Sequence, residues 1–301
     1  MNLCRRDFLN LCKSSSVAAC LSALDLMRLE ELFANTSAPT VYWLQGSGCT
    51  GCSVSFLNYI APSAPTTAAE VLIQKVNLAF HTTVMDVSGQ SAVSVVDGAF
   101  TQRGGYILVV EGGVPLGFNG NACLAWSKDG KDVTFKDAVT VLAARASKIL
   151  CVGSCAAWGG IGAAAPNPSG IVGVKRATGK TTINIAGCPP HPDWIVWGIA
   201  KALVGSVGTL DEYGRPRSLY NGTVHDACPR HEREETHTYG RDGYCLKELG
   251  CRGPETRAVC PSTGWNNHAN WCVDANSLCI GCTEPNFPLA QLRRAGESEG
   301  D

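Results

Sequence analysis

Residues 41–52 read VYWLQGSGCTGC, an uncharged β-favouring run, a turn punctuated by Gly46, Gly48 and Gly51, and two cysteines spaced CxxC. A run without charge predicts a strand buried on both faces, and the glycines predict a turn in which backbone approaches a bound object closely. Four more apolar runs follow at 76–80, 106–111, 149–153 and 183–186, separated by helix-compatible stretches. That alternation predicts an α/β fold with a largely parallel sheet. Ligands in open α/β sheets collect outside the carboxyl ends of the strands. Three of the turns at those ends carry cysteine: Cys49 and Cys52 after the first run, Cys155 after the fourth and Cys188 after the fifth.

The whole chain has 301 residues, 45% hydrophobic and 17% charged, which suffices for a substantial core and excludes a disordered or collagen-like polymer. Twenty-five Lys+Arg face 26 Asp+Glu with no block of like charge, which argues against a nucleic-acid partner. Sixteen cysteines are too many to be incidental and too few for a miniature disulfide scaffold, so ligation is expected.

Residues 1–38 read as an export segment. Arg5 and Arg6 precede Asp7, Phe8 and Leu9, then come a mildly apolar stretch at 17–24 and small residues at 36–38. This is a twin-arginine pattern, with an ordinary amphipathic helix as the alternative. No window approaches the roughly 18–20 continuous apolar residues that span a bilayer. After residue 204 the apolar runs stop and the chain turns polar, turn-rich and studded with Cys, Trp, Pro and Gly. The expected organisation is therefore a leader at 1–38, an α/β domain at 39–204 and a loop-rich domain at 205–301, the last held by something other than a conventional core.

Twelve side chains sort into three sets of four. Cys49, Cys52, Cys155 and Cys188 meet at one sheet edge, with the helix opening at Ser53 directing its first N–H groups to the same anionic object. His225 and Cys228, spaced HxxC, join Cys245 and Cys251. Cys260, Cys272, Cys279 and Cys282 complete the third set, ending in another CxxC. Zinc also takes Cys₄ and Cys₃His tetrahedra, and an exported chain can form disulfides. Iron–sulfur clusters are the third reading, favoured by thiolate ligation and by three separate tetrads in one chain.

The remaining candidates have plainer readings. Cys151 is expected in the core, Cys123 has no evident partner, and Cys4, Cys12 and Cys20 fall in the leader. His81, His191, His231, His237 and His268 are expected at the surface or in hydrogen bonds, and Glu111 as a satisfied strand-end carboxylate. Trp265 and Trp271 are expected to shield the third tetrad.

Taken together, these motifs resemble the small, electron-transferring subunit of periplasmic nickel–iron hydrogenases. The resemblance rests on the twin-arginine leader, Gly48-Cys49-Thr50-Gly51-Cys52, Glu111-Gly112-Gly113-Val114-Pro115, Gly153-Ser154-Cys155, Gly187-Cys188-Pro189-Pro190-His191-Pro192 and Cys279-Ile280-Gly281-Cys282-Thr283-Glu284-Pro285. It implies a flavodoxin-like parallel-sheet N-terminal domain followed by a loop-rich iron–sulfur domain. It assigns a proximal [4Fe–4S] cluster to the first tetrad, a distal one to the second and a medial one to the third. Most such subunits have proline at the position of Cys272 and a medial [3Fe–4S] cluster. Cysteine there implies [4Fe–4S], as in the nickel–iron–selenium branch, and [3Fe–4S] only if Cys272 does not ligate. Glycine at positions 51 and 160, where oxygen-tolerant relatives add cysteines, implies an ordinary proximal cubane.

The resemblance implies a large-subunit partner that carries the H₂-activating centre. With no anchor in the tail at 289–301, a periplasmic c-type cytochrome is the expected acceptor, and a membrane cytochrome b the second. The competing function is an exported, zinc-stabilised binding protein without a redox role.

Overall fold

A computed structural model describes residues 40–61, 66–74, 76–101, 105–266 and 268–288. The expected export segment, with Cys4, Cys12 and Cys20, and the tail at 289–301 lie outside the described residues. Five strands, β1 (Thr40–Gln45), β2 (Asn77–His81), β3 (Tyr106–Glu111), β7 (Lys148–Val152) and β9 (Ile183–Ile185), form one sheet in the order β2-β1-β3-β7-β9. Every pairing in it is parallel. Counting only these strands the order is 2-1-3-4-5, the flavodoxin-like winding whose switch point lies between the first and third strands.

Successive residues of the central strands face opposite layers, as the pleat requires. Trp43, Ile107, Val109, Leu150 and Val152 pack on one side, and Tyr42, Leu44, Leu108, Val110 and Cys151 on the other. Cys151 is fully buried there, the core residue expected of it. The second side is covered by α3 (Gly89–Thr101), α4 (Phe135–Ala143) and α6 (Val174–Thr178). The first is covered by α1 (Gly51–Leu57), α2 (Ala68–Gln74) and α7 (Pro192–Leu203).

The sequence reads 197–204 as the last helix of the α/β domain; the structure starts α7 five residues earlier, at Pro192. His191 caps it, its Nδ1 accepting the Asp193 N–H at 3.1 Å, and Pro192 occupies the first turn, where no N–H is needed. All residues from Asp193 to Leu203 are buried, because the helix lies between the sheet and the C-terminal segment.

Two short antiparallel pairs flank the sheet: β4 (Val114–Pro115) with β8 (Ile171–Val172), and β5 (Leu124–Lys128) with β6 (Lys131–Thr134). Residues 205–288 contain only short helical turns, α8 (Arg217–Tyr220) and α9 (Cys260–Thr263) among them. This segment nonetheless shares the main core, contrary to the expectation of a region without one. Leu219, Tyr220, Val224, Leu246, Ala258, Trp271 and Val273 belong to the same apolar cluster as Trp43 and Val109.

Candidate metal centres

Parallel pairing brings the ends of β1, β3, β7 and β9 out on one edge. The loop after β1 carries Cys49 and Cys52, α5 (Ser154–Trp158) after β7 carries Cys155, and the loop after β9 carries Cys188. The four thiols lie within one another's electrostatic reach. Burial raises Cys52 well above the usual thiol range, with the charges of Glu111, Cys155, Cys188 and Cys49 adding to it. Burial likewise pushes Cys155 to about 11, and raises Cys188. Without a metal these thiols are protonated at neutral pH, so metal loading must release protons.

Glycines shape the cradle around the sulfurs. A Cβ on Gly153 (φ +93°) would sit 2.5 Å from Cys52 Sγ, and one on Gly160 (φ +53°) 2.7 Å from Cys155 Sγ. Both positions demand a positive φ and leave no volume for a side chain.

The expectation that the first N–H groups of α1 face the bound object is corrected by the structure. The helix begins at Gly51 rather than Ser53, and its cap residue Thr50 makes no side-chain cap. Instead Glu111, at the end of β3, accepts the N–H of Cys52 at 3.0 Å and of Ser53 at 3.1 Å, the Trp43 Nε1–H at 3.2 Å and the Ser53 hydroxyl. Two orphan donors of a helix terminus are thus satisfied from a neighbouring strand. Glu111 is 2% exposed and fully partnered, as expected of it. Its part in holding the CxxC turn has no signature in the local sequence.

The second tetrad surrounds a cavity lined by His225, Cys228, Cys245 and Cys251 together with Trp271 and Val273. Trp271, which the sequence suggests as a shield for the third tetrad, thus also borders the second. Burial lowers the His225 pKa, and His231, whose ring centroid lies 4.3 Å away, lowers it further. The imidazole is thereby kept neutral, the form that ligates metal. Arg230 donates its backbone N–H to Cys228 Sγ at 3.4 Å, and its Nη1 reaches Asn276 Oδ1 at 2.9 Å.

In the third tetrad Cys260 is raised well above the ordinary range by burial and by Cys282, Cys279 and Cys272, in that order. Burial pushes Cys279 to about 11 and Cys282 to about 12. Cys272, which departs from the commonest pattern, is thus near the other three.

The tetrads also touch one another. The Cys188 backbone N–H lies near enough to the Cys282 thiol to hold its pKa down against burial. Ser154 Oγ donates to the Cys282 carbonyl and accepts the Gly187 N–H at 3.1 Å. The Arg252 N–H, next to Cys251, reaches the Cys279 carbonyl at 2.8 Å.

All thirteen described cysteines are free, which weighs against the disulfide reading. Among the described residues no three His, Cys, Asp or Glu side chains converge on a point that one metal ion could occupy. A lone zinc needs its donors within about 2.0–2.3 Å of one point. Sets of four thiolates, or of three thiolates and an imidazole, in a cradle lined by glycine are donor sets that fit iron–sulfur clusters.

Two family models match the chain. One, "NADH ubiquinone oxidoreductase, 20 Kd subunit", spans residues 49–202, and the other, for the C-terminal part of the NiFe/NiFeSe hydrogenase small subunit, spans 220–292. The periplasmic [NiFe] hydrogenase small subunit of Solidesulfovibrio fructosivorans is 35% identical, the match covering 94% of this chain and 90% of that one. The chain belongs to the nickel–iron hydrogenase small-subunit family. The periplasmic [NiFeSe] hydrogenase small subunit of Desulfomicrobium baculatum is also 35% identical, with 96% of this chain and 97% of that one covered. A solved [NiFeSe] hydrogenase from Desulfovibrio vulgaris Hildenborough superposes with a TM-score of 0.76 at 38% identity, covering 83% of this chain and 95% of its counterpart.

The histidines other than His225 take the plainer roles expected of them. His81 and His191 are buried and hydrogen-bonded, and the His268 ring contacts the Thr263 carbonyl. Cys123, which the sequence leaves without a partner, hydrogen-bonds to the Ser47 side chain.

Proposed function

We propose that this chain relays electrons, one at a time, between an H₂-activating nickel–iron centre in a partner large subunit and an external acceptor. Three [4Fe–4S] clusters supply the one-electron chemistry, their potentials set by ligand charge, hydrogen bonds to sulfur and exposure. Cys49, Cys52, Cys155 and Cys188 hold the proximal one. Cys260, Cys272, Cys279 and Cys282 hold the medial one, and His225, Cys228, Cys245 and Cys251 the distal one. The observation that supports this reading is the close approach of the loops that carry the tetrads: the Cys188 amide beside the Cys282 thiol, and the Arg252 N–H, next to Cys251, on the Cys279 carbonyl at 2.8 Å. They support an order in which the third tetrad lies in the middle.

At one end, Cys49 is exposed beside the outward face of α1, where Val54 and Leu57 are exposed, with Ile60 just beyond. An apolar surface next to the first tetrad suits the large subunit. At the other end neutral His225 replaces one thiolate, which removes a negative charge and raises the distal potential. A c-type cytochrome is the acceptor this reading favours, ahead of a membrane cytochrome b. Among the described residues no helix is long and apolar enough to cross a membrane. Periplasmic residence by twin-arginine export follows from residues 1–38, and the division at 204/205 separates the proximal site from the other two.

Metal analysis and EPR of the anaerobically purified heterodimer test the reading. About twelve iron atoms per small chain are expected, and no three-iron signal after oxidation, because oxidised [4Fe–4S] is diamagnetic. Cys272→Pro should then introduce a paramagnetic three-iron signal and raise the medial potential. A colourless protein containing zinc would instead support the binding-protein alternative, and a three-iron signal in the unmodified chain would remove Cys272 from the ligand set.

A further inference from the structure

A residue in the wall of the second tetrad's cavity has a polar group that the protein leaves unsatisfied. Trp271 lines that cavity and is only 4% exposed, yet its Nε1–H finds no acceptor among the described residues. Buried indole N–H groups ordinarily have a partner, so an orphan one needs a physical reason. Trp194 and Trp197 also have unpartnered Nε1–H groups, but neither borders this cavity. The wall beside Trp271 includes Val224, Leu246 and Val273, whose apolar side chains offer no acceptor. What the tetrad is built to hold is rich in acceptors, since both inorganic sulfide and thiolate sulfur take hydrogen bonds.

We propose that Trp271 donates its indole N–H to a sulfur of the cluster held by His225, Cys228, Cys245 and Cys251. This rests on the distal assignment made above. A hydrogen bond to sulfur withdraws electron density and favours the reduced form, so Trp271 raises the distal potential in the same direction as His225. The next residue, Cys272, lies with the medial thiols. Consecutive residues thus serve adjacent stations, Trp271 by its side chain on the distal one and Cys272 by its sulfur on the medial one.

The test uses the intact heterodimer, isolated anaerobically. In wild-type protein grown on indole-¹⁵N tryptophan and poised with the distal centre reduced, pulsed EPR should show a ¹⁵N coupling and an exchangeable proton that disappears in D₂O. Trp271→Phe keeps the ring in the wall and removes the donor. It should abolish both couplings and move the distal potential downward, with iron content and the medial and proximal potentials unchanged. Full iron content with no tryptophan nitrogen coupling in the wild type overturns the proposal alone. So does a Trp271→Phe protein whose distal potential does not move. Iron short by about four with no distal signal overturns the distal assignment, and the proposal with it. Because the labelling experiment needs no variant, it decides even if Trp271→Phe fails to fold.

Discussion

Glu111 accepts four hydrogen bonds at the end of β3, two of them from the backbone of the CxxC helix. Glu111→Ala would leave the N–H groups of Cys52 and Ser53 buried and unpaired, and should lower unfolding free energy by about 2–3 kcal/mol in denaturant titration. Glu111→Gln, which keeps a carbonyl acceptor, should cost clearly less; equal losses would refute the capping role. His81 stands behind this network. Its Nδ1 accepts the Thr83 N–H at 3.1 Å, so Nε2 carries the proton toward Ser53 Oγ at 3.3 Å. Burial lowers its pKa from 6.5 to about 4. A depressed pKa means that the folded state binds fewer protons than the unfolded one. The stabilisation is therefore complete above pH 6.5 and is lost as pH falls toward 4, by up to about 3 kcal/mol. Melting temperature measured from pH 7 to pH 4 should fall more steeply in the wild type than in His81→Gln, and parallel curves would assign the acid sensitivity elsewhere.

At the scale of elements, the turn from β7 into α5 tolerates little change. Gly153 pairs a positive φ with a Cβ position 2.5 Å from Cys52 Sγ. This backbone conformation, open essentially to glycine alone, costs another residue roughly 1–3 kcal/mol, and the methyl group would displace the Cys52 sulfur. Gly153→Ala should reduce iron from about twelve to about eight atoms per chain, and a fully loaded variant would contradict the cradle. All five sheet strands were legible from their apolar runs, because a strand covered on both faces cannot afford charge. The β5–β6 hairpin was equally legible in Asp129-Gly130, both with φ above zero, although the sequence reading passes over it. The capping of α1 by Glu111 was not legible, since it depends on β1 and β3 being neighbours while 59 residues separate Glu111 from Cys52. The C-terminal share of the core was hidden for another reason. Residues such as Val224, Leu246 and Val273 stand singly among turns, so they form no periodic pattern.

Across the whole molecule the division of labour is uneven. The parallel sheet is closed by its own packing, whereas the longest helix described between 221 and 288 is the four-residue α9. On the proposed assignment, the order of this segment comes from ligand bonds and from the apolar side chains it lends to the main core. Anaerobic chelation of iron should therefore strip amide protection from 221–288 while β1, β3 and β7 stay protected, as read by hydrogen exchange with mass spectrometry. Protection that persists throughout the iron-free chain would show that packing alone suffices. Arg215 is one such packing contribution, wholly buried between Asp211 and Glu284 with its Nη1 on the Thr283 carbonyl at 2.9 Å. The hydroxyl of Ser154, fastened to both the Cys282 carbonyl and the Gly187 amide, has a longer reach. In the proposed relay it would fix the span between the proximal and medial stations through main chain, and tunnelling probability depends far more steeply on span than on driving force. Substitutions around either station can then retune its energy level without lengthening the jump, so thermodynamic bias and transit speed become separately adjustable properties of one short wire.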